Sequence, residues 1–510
     1  LAVLLLFLAF RRYVLFFLAL VCTGLFCLFS LNSHFEKLTL APQYGEILRY
    51  VESPYGRIVI TKEGPQHTFW ESGIPFYSDA DTVNSEEKIH YALSQLEEVK
   101  SVLLVSGGLG ETLAEVSKYA PSSVDYVELD PNLTRVAQEL DLIVQSPSLT
   151  IHHDDGRHYI KETSKKYDAV IVDLPEPDTF QLNRFFTFEF FALAKKVLQK
   201  DGILSFSLNL SPNYLSDIQR SKLSILYNTV KQHFRNVLIL PGEKAYFLCR
   251  DGDLWTDVPA RLALKSVTTA YVEGFFHGNV TQERIEEIRK RLDPKALVNT
   301  DFEPRVMTAL FQEWFAMHGS SPKVFGWVAL GLTMLYLIFL RREEVVLFTT
   351  GLANMGVEML VIFTFQVMYG YIYLKLGAIV TAFLVGLLPG ALFGNLFKGR
   401  GRIPFIVSEI ILFSLLVVFY VGISFSEGDI PQFYFLGYGF VFSFFCGYQF
   451  PLAAGLIGEK ESPAAGCLAA DFTGAAVGTL ATGAILIPLL GIQMAIIFLI
   501  LVKISSNIIV

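Results

Sequence analysis

Charged residues are scarce in this chain of 510 residues. Asp, Glu, Lys and Arg together make up 18%, where a soluble globular protein carries about 25%. Hydrophobic residues reach 52%, and the mean hydropathy is +0.44. The shortage of charge excludes an ordinary soluble enzyme, and the apolar excess excludes a disordered chain. With a net charge of -8 the chain also lacks the basic excess of a nucleic-acid-binding protein, so we expect no nucleic acid partner.

Cysteine is also scarce. The five cysteines show no metal-ligand spacing, and four lie in strongly apolar stretches; they are Cys22, Cys27, Cys249, Cys446 and Cys467. A disulfide framework and a zinc site are therefore not expected. His152, His153 and His158 also lack diagnostic spacing, and a polar loop is the favoured interpretation, so we expect no bound metal.

The chain does contain long apolar runs. Residues 13–31 carry no charge and are long enough to cross about 30 Å of hydrocarbon. Arg11 and Arg12 precede this run and another apolar run precedes them, so we expect two membrane helices over 1–32, the first truncated, rather than a cleaved signal peptide. Further spans are predicted at 324–340, 345–368, 376–397, 403–425, 432–457, 465–489 and 490–508, the last two divided only near Gly491. This pattern predicts a multipass membrane protein, with the lipid bilayer as a partner.

Basic residues fall on alternate loops between these spans, at 11–12, 341–342, 398–402 and 460. The positive-inside rule assigns such loops to the cytoplasm. The long polar segment between the spans 13–31 and 324–340 is then predicted to lie on the non-cytoplasmic side.

Two acidic residues fall inside predicted spans, Glu358 in 345–368 and Asp471 in 465–489. Acids in lipid are costly, so they face either a water-filled path, which would indicate transport, or polar partners that hold them in place. Glu409 lies near a span end and is expected at the membrane interface. The Gly and Ala residues of 465–489 favour close helix packing over a pore.

The polar segment shows ordinary charge and clear turn signals. It divides into a β-rich lead-in over 33–95, an α/β domain over 96–252 and a helical tail over 253–322, before a bundle of about seven helices over 323–510. Within it, short apolar strands alternate with helices; the strands are expected at 101–106, 124–129, 149–152, 168–173 and 203–208, and a long helix near 185–199. Uninterrupted apolar strands in this alternation predict a parallel sheet covered on both faces.

Polar groups follow the first two of these strands, at the edge where open α/β sheets bind ligands. Gly107, Gly108 and Gly110 allow a tight turn and a close ligand approach, although a plain structural turn fits them equally well. Glu128 follows about 20 residues later, where a carboxylate can accept both hydroxyls of a ribose. Together they favour nucleoside binding over a solvated strand-end acid.

Two more acids follow the third and fourth strands. Asp155, in Asp154-Asp155-Gly156, can accept from an adenine amino group. Asp173, in YDAVIVDLPEP, can bind a cationic amine and take a proton from it, with a helix cap or a loop acid as the alternative.

Taken in order, VLLVSGGLGETL, YVELDP, HHDDGRHY and YDAVIVDLPEP resemble the spermidine synthase family of aminopropyltransferases over about residues 45–250. The resemblance implies an α/β Rossmann-like domain of the class I methyltransferase type, preceded by a small β subdomain. The flanking spans, with YGYIYLKLG and AADFTGAAVGTLATG, resemble a bacterial multipass branch in which such a domain is joined to transporter-like helices. This resemblance implies a location in the bacterial inner membrane.

The resemblance also implies residue roles. Asp173 would be the general base. The adenosyl ligand would be held by Gly107, Gly108, Gly110, Glu128, Asp155 and Gly156, and the substrate by Glu176, His90, Tyr77 and Gln66. The co-substrate would be decarboxylated S-adenosylmethionine or S-adenosylmethionine, the acceptor a small amine or polyamine, and a homodimer stays an open alternative.

The chain departs from the family on the substrate side. Typical members have an acid where this chain has Leu109, and Tyr-His-Glu where it has Ile89-His90-Tyr91. Where typical members have Asp-x-x-Asp-Pro, this chain has Asp173-Leu174-Pro175-Glu176-Pro177. Where they have Gly-x-x-Gln, it has Gly73-Ile74-Pro75-Phe76. Nucleoside binding is thus the firmer expectation, and putrescine as acceptor is in doubt.

Three functions compete on these grounds. One is a membrane-embedded transferase that moves an aminopropyl or related group from an adenosyl sulfonium to an amine. The second is a transporter-like protein whose Rossmann domain has diverged and senses a nucleoside or polyamine. The third is a scaffold without catalysis.

Overall fold

The structure is a computed structural model of the chain. It describes residues 13–30, 33–64, 66–79, 81–143, 146–210, 215–370, 373–425, 430–457 and 463–509. The expected first helix before Arg11, and the loop that carries Lys460, lie outside the described residues.

A small antiparallel sheet follows the first two helices, α1 (Tyr13–Ser30) and α2 (Ser33–Tyr44). Its strands pair in sequence order; they are β1 (Ile47–Glu52), β2 (Arg57–Glu63), β3 (Gln66–Glu71) and β4 (Ile74–Ser78). The β-branched run RIVITKE forms β2, whose middle residues are buried. We call this unit the small sheet.

The α/β domain carries a second sheet, whose described strands lie in the order β10-β11-β9-β8-β5-β6-β7. Their bounds are β5 (Ser101–Val105), β6 (Ser123–Glu128), β7 (Leu149–His153), β8 (Tyr167–Val172), β9 (Leu198–Asn209), β10 (Asn236–Pro241) and β11 (Lys244–Arg250). Strands β5 to β9 pair in parallel, whereas β11 is antiparallel to both of its neighbours. The chain order reverses between β5 and β8, and this is the switch point at which open sheets bind ligands. The Rossmann-like fold class is confirmed.

Helices cover both faces of this sheet. They are α3 (Thr82–Leu93), α4 (Glu111–Ser117), α5 (Pro131–Glu139), α6 (Gly156–Glu162), α7 (Phe180–Asn183), α8 (Phe188–Val197) and α9 (Asp217–Lys231). In β5, Val102 and Leu104 pack into one apolar core while Leu103 and Val105 pack into another. This alternation explains why the strands read as continuous apolar runs. The helix expected near 185–199 is α8, which is shorter than expected because it begins at Phe188 and β9 already begins at Leu198.

A helical segment links the α/β domain to the C-terminal bundle. It contains α10 (Val258–Lys265), α11 (Val272–Asn279), α12 (Gln282–Arg291) and α13 (Arg305–Met317). The bundle itself consists of α14 (Pro322–Leu337), α15 (Arg342–Tyr369), α16 (Tyr373–Asn395), α17 (Ile403–Phe425), α18 (Gln432–Ile457), α19 (Pro463–Leu490, with a π-helical turn at Ala481–Leu486) and α20 (Ile492–Ile509).

Within the described ranges, six helices of the bundle, α15 to α20, are long and apolar enough to cross a membrane. The span predicted at 324–340 forms α14, which has only 16 residues. Gly491, which has a φ of +85°, separates α19 from α20. The boundary between the last two predicted spans lies at this position.

Glycines bring pairs of bundle helices into close contact. A Cβ at Gly386, Gly390 or Gly394 of α16 would overlap the backbone of α18, and one at Gly474 or Gly478 of α19 would overlap the backbone of α15. The close packing expected for 465–489 is therefore present, because small residues let helix backbones approach each other.

Glu409 has a partner that its position in the sequence did not reveal. Its side chain is fully buried inside the bundle and paired with Lys503 of α20, and its place at the membrane interface stays a prediction. A window of hydropathy along one helix does not reveal a partner that another helix brings into the core.

The helical segment and the α/β domain both contact the bundle at one end. The backbone N–H of Ile492 donates to the carbonyl of Phe302 at 2.9 Å, and the hydroxyl of Thr308 donates to the carbonyl of Pro488 at 2.6 Å. Phe180 of α7 packs on Phe363 with ring centroids 4.6 Å apart. Helix α15 begins at Arg342 and reaches Phe363 near its far end, so the domain sits at the end opposite the arginine loops.

Candidate functional site

The glycine loop after β5 packs directly against Asp173. Gly107 has a φ of +67°, which favours glycine, and a Cβ there would overlap the Asp173 carboxylate. The backbone N–H of Asp173 in turn donates to the carbonyl of Val105 at 3.0 Å. The structure thus places the loop after β5 and the acid after β8 side by side at the carboxyl edge of the sheet.

Glu128 lies at the same edge and is buried. Its carboxylate accepts from the hydroxyl of Tyr126 at 2.8 Å, from the backbone N–H of Leu129 at 2.9 Å and from the hydroxyl of Ser106 at 3.3 Å. Burial raises the pKa of Glu128 to about 7, although these hydrogen bonds lower it. The Tyr126 ring also packs against Gly108, so this tyrosine positions Glu128 beside the glycine loop.

The Asp155 side chain makes two kinds of structural hydrogen bond. As the N-cap of α6 it accepts from the backbone N–H groups of Arg157 and His158 at 3.1 and 3.0 Å. The same oxygen, Oδ1, accepts from Nη2 of the buried Arg184 at 2.5 Å. Among the described residues, nothing donates a hydrogen bond to the second oxygen, Oδ2, which is the atom left to accept from a ligand. Gly156 permits close packing, since a Cβ there would overlap Val105.

Tyr55, in the turn between β1 and β2, comes close to this acidic corner. Burial raises the pKa of its phenol, and the negative charges of Asp130, Asp154 and Asp155 raise it further. The turn between β1 and β2 therefore lies near the acids to which the sequence assigns adenine binding.

Asp173 forms an ion pair that the sequence did not predict. The ammonium of Lys88, on α3, donates to Asp173 Oδ2, and their side chains are only 8% and 15% exposed. Lys88 also donates to the hydroxyl of Thr112 at 3.3 Å. Burial acts to raise the pKa of Asp173, but the charges of Lys88 and Lys244 outweigh it and hold that pKa below its usual value.

Of the four predicted substrate contacts, Tyr77 reaches the glycine loop. Its hydroxyl lies so close to Gly110 that a Cβ there would overlap it. Neither this hydroxyl nor Oε2 of the neighbouring Glu111 has a hydrogen-bond partner within the described part of the chain, although both atoms are buried. These two atoms are free to bind a ligand.

The other three contacts are engaged elsewhere. Gln66 donates to Ser78 at 2.7 Å on the exposed surface of the small sheet. His90 is fully buried, and its ring nitrogens lie 2.9 Å from Tyr119 and 2.7 Å from Glu115, so no nitrogen remains for a substrate. Glu176 accepts twice from the buried Lys222 at 3.2 Å.

Lys88, Tyr126 and Arg184 are the residues that sequence reasoning missed. Lys88 directly precedes Ile89-His90-Tyr91, where the chain departs from the family, and a charge next to that departure was the available signal. Tyr126 and Arg184 gave no signal of their own. Among the described residues, no group of three or more His, Cys, Asp or Glu side chains is arranged to hold a metal ion.

Residues 82–242 match the family model of the spermine/spermidine synthase domain. The matched segment contains the glycine loop, Glu128, Asp155 and Asp173, and it also contains Lys88. The chain therefore contains a spermine/spermidine synthase domain.

The chain is also similar to curated polyamine aminopropyltransferases and to solved structures of spermidine synthases. Polyamine aminopropyltransferase 2 of Aquifex aeolicus is 31% identical over 170 residues, which are 31% of this chain and 34% of that protein. Polyamine aminopropyltransferase 1 of Streptomyces coelicolor is 26% identical over 315 residues, which are 58% and 57% of the two chains. The spermidine synthase of Thermotoga maritima superposes with a TM-score of 0.40 and 21% identity, covering 48% of this chain and 87% of that one. The chain thus spans about a third to just over half of these two curated relatives.

Proposed function

We propose, from the spermine/spermidine synthase domain at residues 82–242, that this protein is a transferase. It binds an adenosyl sulfonium and transfers an aminopropyl or related group from the sulfonium to an amine. The observation that carries the proposal is the meeting of Glu128, the Gly107–Gly110 loop and Asp173 at one edge of the sheet.

The residues present suit a nucleoside. Glu128 accepts the ribose hydroxyls, and the remaining oxygen of Asp155 accepts from the adenine amino group. The glycine loop lets the sulfonium end of the ligand approach the backbone next to Asp173. Decarboxylated S-adenosylmethionine and S-adenosylmethionine both share this adenosyl part.

The transfer reaction requires a neutral amine as the nucleophile. The nitrogen lone pair forms a bond to the carbon beside the sulfonium, and the electrons of the broken C–S bond pass to sulfur, which leaves as a neutral thioether. A free amine with a pKa near 10.4 is mostly protonated at pH 7, which costs about 4–5 kcal/mol. Asp173 is the carboxylate placed to accept this proton as general base. The Lys88 ammonium beside it lowers the pKa of Asp173, so the pair favours the ionised carboxylate at the expense of its strength as a base.

The apolar helices α15 to α20 support a membrane location for the bundle. Together with the basic loops, the placement of the α/β domain at the opposite end of the bundle supports a non-cytoplasmic domain. An adenosyl donor from the cytosol would then have to pass the bundle or be supplied from outside.

Amine-dependent release of methylthioadenosine tests the proposal. This thioether is the product whether an aminopropyl or an aminocarboxypropyl group is transferred. The full-length protein is incubated with either donor and a panel of mono- and diamines. We expect release that falls at least 100-fold in Asp173→Asn but not in Asp178→Asn, an acid of the same loop. Absence of release with both donors, or equal release by Asp173→Asn, overturns the proposal.

Transport is a second candidate function, and a charged cluster in the bundle favours it. Thr350, Glu409, Gln449 and Lys503 come from four different helices and are all fully or almost fully buried. Glu409 Oε2 has no hydrogen-bond partner among the described residues. Charged groups inside a membrane commonly mark ion or substrate paths.

Flux into proteoliposomes decides on the second candidate. Uptake of labelled putrescine, or of protons, is measured for the wild type and for Glu409→Gln, Glu358→Gln and Asp471→Asn. Loss of flux in a variant that remains folded supports transport. Absence of flux in the wild type, or unchanged flux in all three variants, rejects it.

A further inference from the structure

The pair formed by Asp173 and Lys88 changes what the site can recognise. Both side chains are buried at the edge of the glycine loop, and the ammonium of Lys88 donates to the carboxylate. An aminopropyl tail carries one positive charge and would need that carboxylate for itself. Here the carboxylate already has a resident cation.

The second acid that the resemblance places in this corner is absent. Leu109 stands at that position, and its side chain is 1% exposed within an apolar core. Around Asp173 the corner therefore offers one carboxylate and one ammonium to a ligand tail, where two carboxylates would suit a singly cationic tail. The other acid of the loop, Glu111, lies next to Tyr77. Lys244, which lies close enough for its charge to lower the pKa of Asp173, shifts the balance further toward positive charge.

An α-amino-acid group complements such a pair. It carries an ammonium and a carboxylate on one carbon, and the two oppositely charged groups of the site can each bind one of them. Lys88 has three donor hydrogens on a flexible stem, and the hydroxyl of Thr112 at 3.3 Å helps to hold it. A ligand carboxylate can therefore take one of these hydrogens while Asp173 accepts from the ligand ammonium.

We propose that Lys88 and Asp173 form a subsite for the α-amino-acid group of S-adenosylmethionine, so that the adenosyl ligand of this protein retains its carboxylate. This inference rests on the proposed function, because it assumes that an adenosyl group binds at Glu128. It makes Lys88 the residue that determines the choice between S-adenosylmethionine and its decarboxylated form.

The competing explanation is that Lys88 only neutralises Asp173 and touches no ligand. The two explanations differ in how a ligand carboxylate affects affinity. If Lys88 binds that carboxylate, its removal weakens carboxylate-bearing ligands selectively. If Lys88 is purely structural, its removal changes the affinity of all adenosyl ligands alike.

Calorimetric titration of the full-length protein in detergent tests the inference. The ligands are S-adenosylmethionine, decarboxylated S-adenosylmethionine, S-adenosylhomocysteine and methylthioadenosine, which has no charged tail. We expect S-adenosylmethionine to bind at least tenfold more tightly than the decarboxylated form. Lys88→Met, which keeps the length of the side chain, should remove or reverse this preference, and Lys88→Arg should keep it.

Lys165→Met is the matched control. Lys165 also pairs with an acid, Asp125, but it lies just before β8 and not at the carboxyl ends of the strands, where the site is. Lys165→Met should leave the preference unchanged. Tighter binding of the decarboxylated form by the wild type, or an unchanged preference in a folded Lys88→Met, overturns the inference but not the proposed function. Failure of the wild type to bind any of the four ligands overturns the proposed function itself. If Lys88→Met does not fold, the wild-type preference and the Lys88→Arg result decide the matter.

Discussion

The ammonium of Lys503 donates to the carboxylate of Glu409 at 2.6 Å, with both side chains fully buried in the C-terminal bundle. Lys503 also donates to Thr350 at 2.9 Å, and Gln449 donates to Glu409 at 2.7 Å. One ion pair and its neighbours thus join α15, α17, α18 and α20.

This ion pair should matter for stability mainly when only one partner is removed. Glu409→Gln or Lys503→Met leaves a buried charge unpaired, and each should cost about 3–5 kcal/mol of unfolding free energy. Glu409→Leu combined with Lys503→Met should recover most of that loss. Denaturant unfolding in detergent measures all three variants.

The pair of the exposed Arg402 and the partly buried Glu343, 3.7 Å apart at the bundle surface, provides the control. Arg402→Met should cost less than about 1 kcal/mol, because surface ion pairs contribute little. Single substitutions at Glu409 or Lys503 that cost no more than this control would contradict a buried, paired state.

Close helix contacts give a second prediction for the bundle. Gly390 lies against the carbonyl of Phe444 on α18, so Gly390→Leu should separate α16 from α18 and cost about 1–3 kcal/mol or more through overpacking. Gly377, on the same helix, has no atom within 4 Å of the position of a Cβ. Gly377→Leu should therefore leave the unfolding midpoint in detergent nearly unchanged, and equal losses from the two variants would refute the contact.

Much of this architecture could be predicted from the sequence. The alternation of short apolar runs with helices predicts the parallel strands β5 to β8, because buried strands must be apolar on both faces. The glycine loop, Glu128 and Asp173 could be placed at one edge for the same reason, since parallel strands end on the same side.

The partners of these residues could not be predicted. Lys88 is 85 positions away from Asp173, and Lys503 is 94 positions away from Glu409. Only the packing of α3 on the sheet, or of α20 on α17, brings such charges together. His90 shows the converse, because a motif position pointed to substrate while the fold directs the ring to Glu115 and Tyr119.

Glu128 should make stability depend on pH. Its pKa rises from 4.5 to about 7 in the folded protein because of burial. The folded state therefore holds this proton more tightly than the unfolded state, so the stability is largest below about pH 4.5 and falls as the pH rises toward 7. The shift corresponds to a stability change on the order of 3 kcal/mol.

Glu128→Gln should remove part of this pH dependence and stabilise the α/β domain at pH 8 relative to the wild type. Glu87, whose pKa burial also raises to about 7, contributes over the same interval, so Glu87→Gln is measured alongside. Thermal unfolding between pH 5 and pH 8 checks the prediction. A slope that is unchanged in Glu128→Gln would contradict it.

Labelling of introduced cysteines tests the orientation of the chain. Asp253 is exposed on the α/β domain, and Arg400 is exposed at the arginine end of the bundle. In a background in which the exposed Cys22 and Cys27 are replaced by serine, a membrane-impermeant maleimide should label Asp253→Cys in intact cells. Arg400→Cys should react only after permeabilisation, and the reverse pattern would place the domain in the cytoplasm.

Binding of methylthioadenosine to the full-length protein, measured by calorimetry, tests the central claim most directly, because it depends on the nucleoside pocket and not on the acceptor or the tail. The wild type should bind, and Glu128→Gln should weaken binding at least tenfold, since a charged hydrogen bond contributes about 1.5–3 kcal/mol. Glu139→Gln, at an exposed acid of α5, should bind like the wild type. No binding by the wild type, or equal binding by Glu128→Gln, would contradict the assignment of an adenosyl site to this domain.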